Sequence, residues 1–247
     1  MIENTKNLQK AYKLLALQEK ISNNEAKNLI DKGLVSINKK RLKIARTKLS
    51  INTKFTIQKQ PKIKIIFQDE NILSLSKPPF LSSEEVAQKY KEWSLLHRLD
   101  KETSGILLLV KENSQFHKKA KEEFKAQNVT KKYLAIVSGI VNEEQELNFP
   151  LLIKKNRFAK VSVSKNGISA QTHIKPLEIQ SKKTKLEITI TTGRTHQIRV
   201  HLSHIKHPII GDTSYGGQES SRIMLHAQKI ELLGYSFVDD EPINFLF

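Results

Sequence analysis

The carboxylate of Asp100 lies between the cation of Arg98 and a polar turn, in a segment (residues 97–105) that reads His-Arg-Leu-Asp-Lys-Glu-Thr-Ser-Gly. The apolar run 106–110 follows directly and predicts a strand buried on both faces. At the mouth of such a strand, the fold controls the hydration and the orientation of a side chain. This control prepares a carboxylate for covalent or acid–base chemistry, so Asp100 is the candidate reacting group.

Other polar segments also stand at the ends of apolar strands, namely residues 132–133, 192–199 and 211–216. The sequence contains no dinucleotide-binding glycine loop, no Walker motif and no serine elbow. Residues 97–100 resemble part of a kinase catalytic loop, but the kinase glycine loop and Asp-Phe-Gly motif are absent, which excludes a kinase. The histidines near the C-terminal helix are spread around it without an acidic ligand between them, which argues against a metal site: His196, His201, His204 and His207.

The elements that must position these groups follow from hydrophobic periodicity. Helices are predicted for residues 114–126 and from Thr195 to just before Pro208, and two strands are predicted on either side of an Asn166–Gly167 hairpin turn. Further strands are predicted at residues 64–67, 72–75, 132–137 and 185–191. Strands joined mainly by short turns predict an α+β fold with a mixed, mainly antiparallel sheet rather than a regular βαβ array.

The composition favours a polyanionic partner. The 247 residues carry 42 Lys and Arg against 25 Asp and Glu, a net charge of +17, and contain no cysteine. Cysteine-dependent catalysis, thiolate metal sites and disulfides are therefore excluded. No apolar run reaches the ~18 residues of a membrane span, and the first residues lack the charged-then-apolar pattern of a signal peptide, so we expect a cytoplasmic protein without membrane contact. Nucleic acid fits the charge better than acidic lipid, because no basic amphipathic anchor is present.

Residues 1–58 are predicted to form a compact basic module. Ser22 and Glu25 indicate a capping box at a helix start, and Gly33 indicates its end. The first 60 residues hold 14 Lys and Arg against 4 acidic residues, more than half of the total net charge. Residues 22–38 resemble an S4 RNA-binding domain, although Lys39 stands where that family has a glycine. We expect RNA backbone contacts from the following basic run: Lys39, Lys40, Arg41, Lys43 and Arg46.

Residues 64 to about 230 resemble the RluA-type family of RNA pseudouridine synthases. Residues 97–105 match the catalytic motif of that family almost letter for letter, and residues 77–79, 132–135, 192–202, 210–216 and 224–227 match its other motifs in order. Phe80 stands where the family usually has a glycine, and only 17 residues separate Pro79 from His97. The polar run that ends at Pro61 predicts a linker at residues 59–63, and the resemblance implies a catalytic domain at residues 64–247.

The resemblance also implies the reaction and its residues. Uridine in structured RNA would be isomerised to pseudouridine without cofactor or metal, with Asp100 as nucleophile or as base toward the sugar. Arg199 would pair with that carboxylate, and Tyr133 would stack on the uracil and assist the final proton step at C5. Leu225 would form the opposite wall of the pocket. His97 and Arg98 would be among the substrate contacts.

The expected substrate is large-subunit ribosomal RNA, and the expected assembly is a monomer. The alternatives are a synthase acting on transfer RNA and a non-catalytic RNA-binding or ribosome-assembly factor that keeps the fold. The presence of both Asp100 and Tyr133 favours an enzyme.

Overall fold

The computed structural model describes residues 7–38, 40–58, 62–155 and 159–247. The chain divides into two compact units, Met1–Lys62 and Ile63–Phe247, and each has its own hydrophobic core. The expected linker at residues 59–63 spans this division, and its residues 59–61 lie outside the described part of the chain.

The N-terminal unit combines two helices with short strands. Its elements are β1 (Leu8–Lys10), α1 (Ala11–Glu19), α2 (Asn23–Asp31), β2 (Val35–Ile37), β3 (Lys40–Arg41), β4 (Lys48–Ser50) and β5 (Thr56–Ile57). The strand β2 lies between β3 and β5, and β1 pairs with β4. The predicted cap of α2 is confirmed, because the Ser22 hydroxyl accepts a hydrogen bond of 3.1 Å from the Glu25 N–H. Gly33 follows the helix with a φ of 68°, a left-handed conformation that favours glycine.

The larger unit contains most of the secondary structure. Its strands are β6 (Lys64–Gln68), β7 (Ile72–Lys77), β8 (Trp93–Leu95), β9 (Ser104–Lys111), β10 (Thr130–Ser138), β11 (Gln145–Leu147), β12 (Leu151–Lys155), β13 (Ala159–Val163), β14 (Thr172–Gln180), β15 (Lys183–Ile190), β16 (Leu225–Leu232) and β17 (Tyr235–Val238). Its helices are α3 (Ser83–Ala87), α4 (Gln115–Ala126) and α5 (Gln197–His204).

Ten of these strands form one sheet in the order β11-β14-β15-β10-β16-β9-β7-β6, with β17 against β16 and β8 against β9. The pairs are antiparallel except for β9 with β16, so the predicted α+β class with a mainly antiparallel sheet is confirmed. The apolar run 106–110 forms the centre of β9 and is fully buried, because its alternate side chains enter two different hydrophobic clusters.

The hairpin predicted around Asn166 and Gly167 is wrong. A turn does form there, with a hydrogen bond of 2.9 Å from the Gly167 N–H to the Ser164 carbonyl. The flanking strands, however, pair elsewhere: β13 pairs with β12, and β14 pairs with β11 and β15. Ile168 forms a bridge with Leu151 instead, and a Cβ at Gly167 would lie 2.5 Å from the Leu151 backbone. The glycine thus permits a close backbone approach rather than a two-residue hairpin. Arg157, the first residue of the predicted pair, lies outside the described residues.

The parallel pairing of β9 with β16 aligns the starts of these two strands. His226 lies opposite Ser104, and Ala227 lies opposite Gly105. Gly105 has a φ of 112°, and a Cβ there would lie 2.2 Å from the Ala227 carbonyl oxygen. Because β9 begins four residues after Asp100, this close approach fixes where the Asp100 loop enters the sheet.

Gly105→Ala tests this constraint. We expect the substitution to reduce the free energy of unfolding by about 3 kcal/mol, because the new methyl group must displace backbone. Gly234→Ala is the matched control: its φ is 83° but a Cβ would meet nothing within 4 Å, so only conformational strain of about 1 kcal/mol is expected. Urea denaturation measures both values. Equal losses for the two variants would contradict a role for the β9–β16 contact.

Candidate active site

The Asp100 side chain lies at the entrance to β9 and faces the buried helix α5. Its Oδ2 lies 3.0 Å from Nη1 of Arg199, and 26% of the side chain remains exposed. The structure therefore brings together the two charged residues that the sequence singles out, and leaves one side of the carboxylate open to a ligand. Residues 100 and 199 come from distant segments, so their contact depends on the tertiary fold.

Arg199 is shared between two carboxylates. Its Nε lies 2.7 Å from Oδ2 of Asp212 and its Nη2 lies 3.0 Å from Oδ1, a bidentate pair in which both side chains are at least 95% buried. Burial lowers the pKa of Arg199, but the hydrogen bonds and charges of Asp212 and Asp100 outweigh it and raise this pKa above its ordinary value. The guanidinium thus remains charged and is oriented by Asp212 with Nη1 directed at Asp100.

Tyr133 and Leu225 border the same space as Asp100. Tyr133 lies on β10, Leu225 begins the neighbouring strand β16, and both line a cavity of about 80 Å³ together with Asp100 and Arg199. A larger cavity of about 990 Å³ shares Asp100 and Tyr133 in its lining. Burial, and then the charge of Asp100, raises the pKa of the Tyr133 phenol above its ordinary value, so the phenol is protonated at neutral pH.

His97 and Arg98 have different environments. The His97 Nε2 accepts a hydrogen bond of 3.1 Å from the Leu108 N–H, and its ring stacks on Phe124 with centroids 5.6 Å apart. Burial and the nearby charge of Lys131 lower the pKa of His97 to about 3, so its ring is neutral. Arg98 is exposed and pairs with Glu84 at 2.8 Å. Both residues line the larger cavity, His97 as part of a fixed wall and Arg98 as an exposed cation at the rim.

His196 and Tyr215 complete the polar surroundings of Asp100, and sequence reasoning missed both. His196 precedes α5 with a φ of 53°, and its Nε2 lies 3.8 Å from Oδ2 of Asp100. Its Nδ1 lies 2.8 Å from the Tyr215 hydroxyl, and the Tyr215 ring lies 5.1 Å from Cζ of Arg199. The helix therefore begins at Gln197, two residues later than predicted. Both residues lie in segments noted for their polar groups, which was the available signal.

The buried side chain of Lys77 stabilises the Asp100 loop through hydrogen bonds to backbone carbonyls. Nζ of Lys77 donates hydrogen bonds to the backbone carbonyls of Pro78, Leu81 and Lys101, at 3.0, 2.8 and 3.2 Å. The Phe80 N–H also donates to the Lys101 carbonyl, at 2.7 Å. Phe80 has a φ of 74°, which explains why glycine is the usual residue at this position in the resembled family. These contacts tie the loop after β7 to the residue that follows Asp100.

A second buried network joins the starts of β9 and β16. The Ser104 hydroxyl lies 2.8 Å from Nδ1 of His226 and accepts a hydrogen bond from Arg222. Nε2 of His226 lies 3.0 Å from the Asp239 carbonyl, so the ring donates there and accepts from Ser104. Burial lowers the pKa of His226, in agreement with a neutral ring. The network fixes the strand that carries Leu225 relative to the strand that follows Asp100.

The basic residues that the sequence predicts to contact RNA all belong to the N-terminal unit. Lys40 and Arg41 form β3, and Lys40, Lys43 and Arg46 are exposed. Arg41 is half-buried, with its guanidinium packed against Gly33. Lys39 lies outside the described residues.

Across residues 7–38, 40–58, 62–155 and 159–247, no three His, Cys, Asp or Glu side chains are grouped so that they could hold a metal ion. None of the helices in these ranges is both long enough and apolar enough to cross a membrane.

Comparison with known proteins agrees with this geometry. The sequence model of the family described as RNA pseudouridylate synthase matches residues 57–204. An "Uncharacterized RNA pseudouridine synthase" of Helicobacter pylori strain J99 is 58% identical over 240 residues, which cover 96% of this chain and 99% of the relative. "Ribosomal large subunit pseudouridine synthase D" of Pseudomonas aeruginosa is 31% identical, over 69% of this chain and 63% of the relative.

A solved structure supports the same assignment. "Human RNA Pseudouridylate Synthase Domain Containing 1" superposes with a TM-score of 0.66 at 26% identity, and the match covers 75% of this chain and 85% of the human chain. The chain belongs to the RluA-type family of RNA pseudouridine synthases, isomerases that convert uridine to pseudouridine in RNA.

Proposed function

We propose that this chain isomerises specific uridines in large-subunit ribosomal RNA, with Asp100 as the reacting carboxylate of a cofactor-free mechanism. The observation that carries the proposal is the position of Asp100, which is held by Arg199 and open toward the cavity that Tyr133 and Leu225 line.

The reaction places specific demands on this carboxylate. The bond between C1′ and N1 breaks, the uracil turns, a bond between C1′ and C5 forms, the C5 proton leaves and N1 takes up a proton. Asp100 can begin this sequence by attacking C1′, in which case the ester bond breaks again before C5 bonds to C1′. Alternatively it can remove a proton from C2′, which must later return there. Both routes need a partly desolvated, oriented carboxylate. The 3.0 Å contact with Arg199 supplies the orientation, and the exposed quarter of the side chain leaves access to the sugar.

Arg199 acts on Asp100 through its own fixed position. Asp212 occupies Nε and Nη2, so only the Nη1 edge is directed at Asp100. A guanidinium fixed in this way holds one carboxylate oxygen and leaves the other available for the substrate. We assign Arg199 to positioning and charge compensation, and Asp212 to holding Arg199.

Tyr133 and Leu225 fit the uracil ring. The phenol ring and the Leu225 side chain border the cavity above Asp100, where a planar base could stack. The raised pKa of Tyr133 keeps the phenol neutral, so its hydroxyl enters the C5 step as a neutral acid–base group that can relay a proton rather than as a preformed phenolate. To reach this space the uridine must leave its stack, which costs a few kcal/mol and is easiest in loops.

Ribosomal RNA is proposed as the substrate because of the names of the relatives and the charge of the chain. Several relatives carry the name ribosomal large subunit pseudouridine synthase, and the net charge of +17 suits a large folded RNA. We propose that residues 1–58 are an S4-like RNA-binding domain. The exposed cations Lys40, Lys43 and Arg46 support this role, since such contacts position a protein on phosphates without reading sequence.

Mapping pseudouridine in cells tests both the substrate and the carboxylate. In a strain of the source organism that lacks this chain, we expect pseudouridine to disappear from one or more positions of large-subunit ribosomal RNA. The wild-type chain should restore it, and Asp100→Asn should not, because an amide cannot act as nucleophile or base. If pseudouridine disappears only from transfer RNA, transfer RNA is the substrate instead. If the positions of pseudouridine do not change in the strain that lacks the chain, the non-catalytic alternative is favoured. Restoration by Asp100→Asn would exclude the proposed role of the carboxylate.

A double substitution separates folding from catalysis at Arg199. Arg199→Met leaves Asp212 buried without its partner, and we expect a loss of ~3–5 kcal/mol in the free energy of unfolding. Arg199→Met combined with Asp212→Asn should recover much of this loss, because no buried charge is left unpaired, while activity stays absent. Urea denaturation and the rate of pseudouridine formation measure the two effects. Recovery of activity together with stability would refute the positioning role of Arg199.

Tyr133→Phe separates stacking from the hydroxyl. The phenylalanine ring should keep RNA affinity within about threefold, whereas the rate of pseudouridine formation should fall by about 10²–10⁴, the usual range for losing an acid–base group. Filter binding and single-turnover assays give the two numbers. Near wild-type turnover in the variant would limit Tyr133 to stacking.

A further inference from the structure

Lys131 is a buried cation that neither the ion-pair network nor the proposed steps at Asp100 use. It lies two residues before Tyr133 on β10, so both side chains point to the same face of the sheet, ~7 Å apart along the strand. Only 6% of the residue is exposed, yet it lines the larger cavity next to Asp100 and Tyr133.

Lys131 has few compensating contacts. Its Nζ donates one hydrogen bond, of 3.0 Å, to the Thr191 carbonyl, and lies 5.4 Å from the centre of the Phe124 ring. Among the described side chains, no carboxylate forms an ion pair with it. The adjacent Lys132, in contrast, pairs with Glu187 at 3.2 Å.

A second cation increases the positive charge at this place. Arg194 lines the same cavity, and its Nε donates to the Ser169 carbonyl at 3.2 Å, an uncharged acceptor. Burial, and then the charge of Arg194, lowers the pKa of Lys131 to about 8. A buried ammonium that has no carboxylate partner and shares a cavity with a guanidinium is stabilised by an anion in that cavity, so the arrangement suits an anionic ligand.

We propose that Lys131 and Arg194 bind a backbone phosphodiester of the RNA, adjacent to the uridine whose base stacks on Tyr133. This inference rests on the proposed function of the site. The two-residue spacing from Tyr133 is about the length of one nucleoside, so the base and its neighbouring phosphate reach both places at once. The lysine supplies a point charge and the arginine a planar fork, which together suit a phosphate oxygen pair.

The phosphate site would position the uridine without selecting sequence, since phosphodiesters are the same at every nucleotide. It would also anchor the nucleotide at a second point besides Asp100, and thereby resist movement of the ribose while the uracil turns. Specificity for one uridine would then come from RNA structure and from other contacts.

Salt-dependent binding of labelled decauridylate tests the proposal. The full chain carries Asp100→Asn in every sample, so that no turnover occurs and binding is read independently of catalysis. Lys131→Met should weaken binding about tenfold and reduce the slope of log K against log salt by about 0.7, the value of one phosphate contact on a single strand. Lys118→Met, which removes an exposed lysine of α4 outside the cavity, should change affinity less than twofold.

Two further measurements make the result decisive. A decamer with a neutral methylphosphonate backbone should bind equally to the chains with and without Lys131→Met, because the phosphate charge is absent. The RNA-free Lys131→Met chain should melt at or above the temperature of the parent chain, because a buried, weakly paired charge is removed. Three results would each overturn the phosphate site. The salt slope of Lys131→Met could equal that of Lys118→Met, or Lys131→Met could also weaken binding of the neutral decamer. The third result is that the parent chain does not bind decauridylate.

Failure of the proposed function would look different. If the Asp100→Asn parent chain binds decauridylate with a Lys131-dependent slope but the wild-type chain forms no pseudouridine in ribosomal RNA, the phosphate site stands and the proposed function falls.

Discussion

The Arg199 guanidinium, held between the carboxylates of Asp212 and Asp100, is the interaction on which the rest of the site depends. A buried guanidinium is tolerated only when its charge and its N–H groups are matched, and Asp212 provides the bidentate match within the protein. The remaining Nη1 edge then fixes Asp100 without enclosing it. One carboxylate is therefore structural and fully buried, and the other is oriented and open to a ligand. This difference in burial, rather than any difference in residue type, separates their roles.

The sheet places the other groups around this ion pair. The parallel pairing of β9 with β16 lets the Asp100 loop and Leu225 enter at the same edge, where Gly105 permits the close backbone approach. On the other side of β16, β10 brings Tyr133 to the same cavity. Lys77 holds the Asp100 loop through hydrogen bonds to backbone carbonyls. The hydrogen bond between Ser104 and His226 joins β9 to β16. The candidate site residues therefore lie on strands, on a helix, or on a loop that hydrogen bonds hold in place.

Much of this arrangement could be predicted from sequence, and the exceptions have physical causes. The buried strand after Asp100 follows from an apolar run, and the contact between Asp100 and Arg199 was expected from motif resemblance. The sequence places Asp212 only within the polar segment 211–216 and does not pair it with Arg199, because the partner of a buried guanidinium depends on tertiary geometry that residue spacing does not encode. The hairpin at Asn166 and Gly167 failed for a related reason: a local turn signal does not specify which strands pair.

We propose that the Asp100 carboxylate reacts with the sugar while Arg199 holds it in place. The most direct test is single-turnover release of tritium from C5-labelled uridine in RNA, with saturating Asp100→Asn protein that melts like the wild type. We expect release at least ~10³-fold slower than wild type, since the group that begins the reaction is missing. Release within tenfold of the wild-type rate would contradict it.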